Sequence, residues 1–212
     1  MSLLNEISKG AHSTAFGNTQ DITSNVDATY GEVTEDGIRT IFSKLDITPN
    51  DLWLDLGSGT GRVVFQVFLE KNIPSCGIEF IDKRHDIAEE SLLKLKQKVE
   101  NPLVRFVHGD FFKVDWSEAT IIFMCNTCFS DQMMDKIVNR LQTCNKLRYV
   151  IMLKQLDNKP VWLDVLESFM VPVTWTDETN VTIYKACPDK YSIKRNTKRT
   201  SRHRRIRKSH TK

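Results

Sequence analysis

A glycine-rich loop between two apolar runs constrains the fold of this chain more than any other feature. The segment "DLWLDLGSGTGRVVFQVFLEKNIPSCGIEF", residues 51–80, places three glycines within five residues. A short apolar run that ends at glycine is typical of a buried strand, and "RVVFQVFLEKN" has the length and apolar content of a helix packed on a sheet. Glycine permits the tight turn and close backbone approach that such a loop needs. The segment therefore predicts a strand, a ligand-binding loop, a helix and a second strand, "SCGIEF".

The same alternation of strand and helix patterns continues on both sides of this unit. We predict a helix at 34–45 with Thr34 as its N-cap, then helices at 82–100, 131–144 and 161–170. Strand patterns occupy 103–111, 120–126, 147–153, 171–176 and 180–186. This order predicts an α/β fold with a mostly parallel sheet, helices on both faces and an antiparallel hairpin at one edge. Residues 1–29 are predicted to be an arm or loop.

Charge divides the chain into an acidic body and a basic tail. Residues 189–212 carry 11 of the 30 Lys and Arg residues and one acid, so residues 1–188 carry seven more acids than bases. The tail has almost no apolar content, so we expect it to be disordered alone. No apolar run approaches the roughly 20 residues of a membrane helix, and no secretory signal is expected. Five scattered cysteines favour reduced thiols in an intracellular compartment.

The loop spells D-x-G-x-G-x-G from Asp55 to Gly61, which differs from the dinucleotide fingerprint G-x-G-x-x-G. No Gly-Lys-Ser/Thr follows, so a P-loop is excluded. The compressed form is typical of enzymes that bind S-adenosylmethionine (SAM). Polar residues at the ends of the next three strand patterns support a ligand crevice at the carboxyl edge of the sheet: Glu79 for ribose hydroxyls, Asp110 for the adenine amine with Phe111 over the ring, and Asn126.

Together with "YGE" at 30–32, these motifs ("DLWLDLGSGTG", "GIE", "GDFF" and "IIFMCNTCF") resemble the Dot (disruptor of telomeric silencing) family of histone methyltransferases. The resemblance runs from about residue 28 to 186. It implies a seven-stranded class I SAM-dependent methyltransferase domain, Rossmann-like, at 30–187, between an arm at 1–29 and a basic tail at 188–212. It also implies lysine-79 of nucleosomal histone H3 as substrate, SAM as cofactor with S-adenosylhomocysteine (SAH) as product, and no metal.

The resemblance also implies roles for individual residues. The residues expected to bind the cofactor are Tyr30, Gly31, Glu32, Val33, Trp53, Asp55, Gly57, Ser58, Gly59, Gly61, Arg62, Glu79, Asp110, Phe111 and Asn126. Asn126 and Tyr30 are expected beside the transferring methyl group, and Phe129 and Trp175 along the lysine channel.

The chain departs from the family pattern at several of these positions. Arg62 replaces a usual glutamine, "CNTCF" replaces the usual paired asparagines, and Ile183 stands where a channel tyrosine is expected, with Tyr184 next to it. The long N-terminal helical part of the family has no counterpart, which indicates a pared-down version.

The basic tail predicts contact with phosphates and fits a nuclear localisation signal. The residues expected to contact nucleosomal DNA are Lys194, Arg195, Lys198, Arg199, Arg202, Arg204, Arg205, Arg207 and Lys208. We expect a monomer with no membrane contact, located in the nucleus, or in another chromatin-containing compartment if the protein is viral. Two alternatives stay open: a methyltransferase acting on a nucleic-acid amine or a non-histone lysine, and a non-catalytic chromatin-binding module. The C-x-x-C at 125–128 has no second ligand pair, which disfavours zinc.

Overall fold

The computed structural model describes residues 2–9 and 31–187. Seven strands in this part of the chain form one sheet: β1 (Trp53–Leu56), β2 (Ser75–Glu79), β3 (Val104–His108), β4 (Ile121–Met124), β5 (Tyr149–Met152), β6 (Leu163–Val171) and β7 (Thr179–Ala186). The order across the sheet is β3-β2-β1-β4-β5-β7-β6. Strands β1 to β5 pair in parallel, whereas β7 pairs antiparallel with both β5 and β6. The predicted mixed sheet with an antiparallel hairpin at its edge is confirmed.

Five α-helices accompany the strands in the described residues: α1 (Leu3–Ile7), α2 (Glu35–Ser43), α3 (Arg62–Lys71), α4 (Asp82–Lys96) and α5 (Asp131–Leu141). A short 3-10 helix spans Phe111–Lys113. The predicted N-cap of α2 is confirmed, since the Thr34 hydroxyl accepts a hydrogen bond from the amide of Gly37 at 3.2 Å. None of the helices in the described ranges has the length and apolar content to span a membrane.

Two apolar clusters cover the two faces of the sheet. On one face, Trp53 of β1 and Phe123 of β4 pack with α2, whose Ile38 and Ile41 are fully buried. On the other face, Leu54 and Leu56 of β1 pack with α5. Alternate residues of β1 therefore contribute to opposite clusters, as the period of two in a strand requires.

The structure corrects three sequence predictions. Residues 161–170 were predicted to be helical, but Leu163–Val171 form the edge strand β6, in which pairing with β7 overrides the helix-forming Leu, Glu and Met residues. Of the predicted strand at 171–176, Val171 ends β6 and the residues after it form a loop, held by an isolated bridge between Val173 and Val33. The predicted arm contains α1, whose Leu4 and Ile7 are buried against α3 and α4.

Candidate functional site

Three buried carboxylates meet at the carboxyl edge of the sheet. Asp55 is on β1, Glu79 ends β2, and Glu32 lies in the segment before α2; they are 2%, 5% and 8% exposed. Burial raises the pKa of Asp55 well above its ordinary value, and the charges of Glu79 and then Glu32 raise it further. The negative charge of this edge is therefore concentrated where few water molecules reach it.

The three acids differ in their partners. Glu79 accepts hydrogen bonds from the amides of Gly59 and Ile81, both at 2.8 Å. Glu32 accepts from the Thr60 hydroxyl at 3.0 Å and forms an ion pair with Arg62 at 3.5 Å. Asp55 makes no hydrogen bond or ion pair with another side chain or amide of the described residues. A buried carboxylate without such a partner is costly, so this site favours a cationic ligand.

Left-handed glycines fold the loop after β1 back onto β2. The amides of Gly57 and Ser58 both donate to the carbonyl of Ile78, at 2.9 and 3.0 Å. Gly61 has φ +84°, and a β-carbon there would lie 2.4 Å from the ring of Phe106. Only glycine fits this position, because a side chain would meet both a strained backbone and an aromatic ring. The buried Ser58 hydroxyl makes no hydrogen bond within the described part of the chain.

Asn126 does not occupy the position that the sequence predicted for it. Its side chain is fully buried, and its oxygen accepts from the amides of Leu153 and Lys154, both at 2.8 Å. Its nitrogen donates to the carbonyl of Lys154 at 2.9 Å and contacts the sulfur of Met134 at 3.5 Å. The amide is thereby saturated. Asn126 joins the end of β4 to the end of β5 instead of facing the crevice.

Aromatic side chains line the crevice beside the glycine loop. Phe129 lies over Gly57, where a β-carbon would be 3.8 Å from its ring, and its centroid is 5.9 Å from that of Phe111. Asp110 caps the 3-10 helix by accepting from the amide of Phe112 at 2.8 Å. The structure thus brings the predicted Asp110, Phe111 and Phe129 to the same side of the crevice.

Trp175 lies on the opposite rim, on the backbone of Gly31. A β-carbon on Gly31 would be 2.2 Å from the indole ring, so this position requires glycine. The indole is 44% exposed, which leaves one side of its surface open to a ligand. Phe80, which sequence reasoning missed, directly follows Glu79 and is 54% exposed. The sequence signal that could have found it is an aromatic residue directly after the acid that ends a strand pattern.

The structure corrects the role predicted for Trp53. Its indole is fully buried at the amino end of β1, stacked on Phe123 with centroids 5.7 Å apart, and belongs to the core. The side chain of Val33 is also in the core, so only its backbone borders the crevice.

Ile183 and Tyr184 are buried on opposite faces of β7, and the Tyr184 hydroxyl accepts a hydrogen bond from the amide of Leu156. Tyr30 and the nine predicted DNA-binding residues lie outside the described residues.

A cavity of about 370 Å³ adjoins the crevice beside Glu32. Its walls are formed by the segment 32–36 with Arg39, Arg62 and Thr174. Arg62 donates to Glu35 at 3.1 Å and Arg39 pairs with Glu70 at 3.0 Å. Acids and bases of this region are thus mutually paired, unlike Asp55. Among the residues described, no cluster of three or more His, Cys, Asp or Glu residues is arranged to hold a metal ion.

Comparison with known proteins gives matches in both sequence and fold. The profile of the family described as "Histone methylation protein DOT1" matches residues 16–182. A "Histone-lysine N-methyltransferase, H3 lysine-79 specific" of Emericella nidulans is 29% identical over 138 residues, which are 60% of this chain and 28% of that protein. The protein of the same description from Kluyveromyces lactis is 29% identical over 174 residues, 69% of this chain and 30% of that one. The chain therefore spans less than a third of the length of these relatives.

The fold also matches solved structures. An RNA methyltransferase from Salinibacter ruber in complex with SAH has a TM-score of 0.54 at 20% identity, and the match covers 73% of this chain and 93% of that one. A SAM-dependent methyltransferase from Aquifex aeolicus has a TM-score of 0.53 at 14% identity, with 70% and 89% covered. The predicted class I SAM-dependent methyltransferase fold is confirmed.

Proposed function

The chain belongs to the DOT1 family of histone methylation proteins, and from this premise we propose that it is a SAM-dependent lysine methyltransferase of nucleosomal histone H3, of the lysine-79 type. The relatives named above are described as enzymes of that specificity. The observation that carries the proposal is Asp55, a buried carboxylate that has no partner among the described residues, at the edge of the sheet where ligands of α/β folds bind.

The residues at this edge fit a cofactor that carries positive charge. SAM has a sulfonium and an ammonium group, and the crevice offers the buried carboxyl of Asp55 next to Glu79 and Glu32, whose ionised form a cation would stabilise. The glycine loop presents a bare backbone, and the buried Ser58 hydroxyl has hydrogen-bonding capacity left. We propose that Asp55 binds the ammonium end, that Glu79 accepts from the ribose hydroxyls with its remaining lone pairs, and that Asp110 and Phe111 bind the adenine.

The bound cofactor supplies an electrophilic methyl group. Bound SAM would transfer this methyl group to the lone pair of a neutral lysine amine, with the C–S electron pair left on sulfur and the amine proton lost to water. The protein has to admit a neutral amine and hold it in line. Phe129 and Trp175 provide apolar walls that disfavour the ammonium form of lysine, whose ordinary pKa is about 10.4. Positioning of this kind lowers a barrier by at most roughly 7–11 kcal/mol.

Methylation with tritiated SAM tests the proposal. The purified chain is incubated with recombinant nucleosomes, free histones, DNA or RNA, and the Asp55→Asn variant serves as the matched control. We expect label on nucleosomal H3, its loss in nucleosomes whose H3 carries arginine at position 79, and no label with the variant. Label on nucleic acid, or SAM binding without transfer to any of these substrates, would contradict the proposal.

The basic tail supports a nucleosome as the substrate. Residues 189–212 have 11 bases and one acid, whereas residues 1–188 are acidic and are expected to be repelled by DNA. We propose that the tail contacts nucleosomal DNA and that the protein acts in the nucleus or another compartment that contains chromatin.

Truncation after residue 188 should leave SAM affinity unchanged and abolish nucleosome methylation. A variant with the same tail residues in shuffled order is the matched control, because phosphate contact does not depend on sequence. The shuffled tail should restore activity and the salt dependence of nucleosome binding. Equal activity without any tail would contradict the proposal that the tail contacts nucleosomal DNA.

A further inference from the structure

Two neighbouring side chains directly after β4, those of Cys125 and Asn126, face opposite sides of the sheet. Asp55 is in register with Gly77 on β2 and with Phe123 on β4. Because side chains alternate along a strand, Glu79 and Cys125, each two residues further on, share the face of Asp55. The contacts agree with this alternation, since Cys125 packs against the cluster that contains Phe123.

Asn126 belongs to the other face and has no capacity left for a ligand. Its nitrogen contacts Met134, which is part of the opposite cluster, and its oxygen accepts two backbone hydrogen bonds from β5 and the residue after it. A ligand that used this amide would have to break the junction between β4 and β5. The side chain at the end of β4 that shares the crevice with the buried acids is therefore the preceding residue, Cys125.

Cys125 contacts the backbone of the residue that precedes Glu32. Its sulfur is 3.8 Å from the carbonyl oxygen of Gly31, the residue covered by the indole of Trp175. Burial, and then the charge of Asp55, raises the pKa of the Cys125 thiol to about 12. The thiol is therefore neutral at pH 7, and a neutral thiol is a poor nucleophile. A methyl donor can lie beside it without alkylating it.

We propose that Cys125, rather than Asn126, lines the position through which the methyl group passes, and that its small side chain provides the space for that methyl. The proposal rests on the proposed function, because it needs SAM in the crevice next to Asp55, which has no partner within the described ranges. It assigns Asn126 to positioning: the amide holds the ends of β4 and β5 together, and this fixes where Cys125 stands.

Cofactor affinities separate this role from a structural one, because SAH differs from SAM by the transferable methyl and its charge. The Cys125→Leu variant of the full chain is titrated with each compound by calorimetry. We expect its SAM affinity to fall at least 10-fold while its SAH affinity stays within about 2-fold of the wild-type value. Cys128→Leu, an exposed position in the same turn, is the matched control and should change neither affinity.

A larger residue at a half-buried position can also impair folding, so Cys125→Thr is measured in parallel. It adds little volume and should lower the SAM to SAH affinity ratio in the same direction by a smaller factor. An unchanged ratio in the variant that folds would overturn the assignment of Cys125. If the wild-type chain bound neither compound, the proposed function itself would fail, so the two failures are distinguishable.

Discussion

Two buried aspartates four residues apart have opposite surroundings. Asp51, just before β1, is 1% exposed and accepts hydrogen bonds from the Thr48 amide at 2.7 Å and from the Thr120 hydroxyl at 2.7 Å, besides an ion pair with Arg148. Asp55, in β1, is 2% exposed and has no such partner among the described residues. Burial raises the pKa of Asp51, but these hydrogen bonds outweigh it and lower the pKa, whereas the pKa of Asp55 is raised well above its ordinary value.

The two ends of the sheet therefore differ in how a buried carboxylate is stabilised. At the amino end, the carboxylate is satisfied by the protein itself, so its charge stabilises the fold. At the carboxyl end, Asp55 has no hydrogen-bonding partner among the described residues, and we propose that a cationic ligand offsets the cost of its burial. Stability and binding should therefore respond in opposite ways to the loss of each charge.

Asp51→Ala should give the largest effect, on stability alone. The variant removes the Asp51 partner of Arg148, which keeps its contacts with Asp46. It leaves the Thr48 amide without its acceptor and the Thr120 hydroxyl without its shortest hydrogen bond. Since Arg148 is partly exposed, we expect a loss of about 2–3 kcal/mol. For a chain of this size that lowers Tm by roughly 5–10 °C. Thermal unfolding followed by circular dichroism measures it, and SAM affinity well below Tm should be unchanged. A Tm equal to that of the wild type would show that this network is not stabilising.

Asp55→Asn should give the next largest effect, on binding. It removes the charge that we assign to the ammonium group, and a hydrogen bond to a charged group contributes about 1.5–3 kcal/mol. SAM affinity should fall on the order of 10- to 100-fold. Because the substitution also removes a desolvated charge near Glu79 and Glu32, stability at pH 8 should rise or stay the same. A variant that binds SAM like the wild type but unfolds at a lower temperature would show that Asp55 stabilises the fold and does not bind the cofactor.

Arg62→Gln should give the smallest effect. The guanidinium pairs with Glu32 and Glu35 at the rim and is 17% exposed, so both ion pairs are partly solvated. Restoring the glutamine usual in the resembled family should cost about 0.5–1 kcal/mol of stability and change SAM affinity only a few-fold. Chemical denaturation and calorimetry measure the two quantities. A loss of SAM affinity as large as that of Asp55→Asn would show that Arg62 contributes as much to cofactor binding as Asp55 does.

The sequence was most informative where a local pattern has a single structural solution. The glycines at 57–61 with Asp55 and Glu79 predicted the loop, the strand ends and the crevice, because strand ends of a parallel sheet share one edge. Asn126 was predicted to face the crevice but is buried and bonded to residues at the end of β5, because its chemistry was read without the alternation that turns neighbouring residues to opposite faces. The helix predicted at 161–170 failed because pairing of β6 with β7 decides that segment. Trp53 sits close to the loop in sequence but at the opposite end of its strand.

Calorimetric titration of the wild-type chain with SAM, in two buffers that differ in ionisation enthalpy, tests the central claim most directly. Burial raises the pKa of Asp55 in the free protein, so a cationic ligand that lowers this pKa on binding should release protons. We expect 1:1 binding with proton release, and loss of that release in Asp55→Asn. No binding heat, or binding that releases no proton in either buffer, would contradict the claim that this aspartate is kept without a partner for a cationic cofactor.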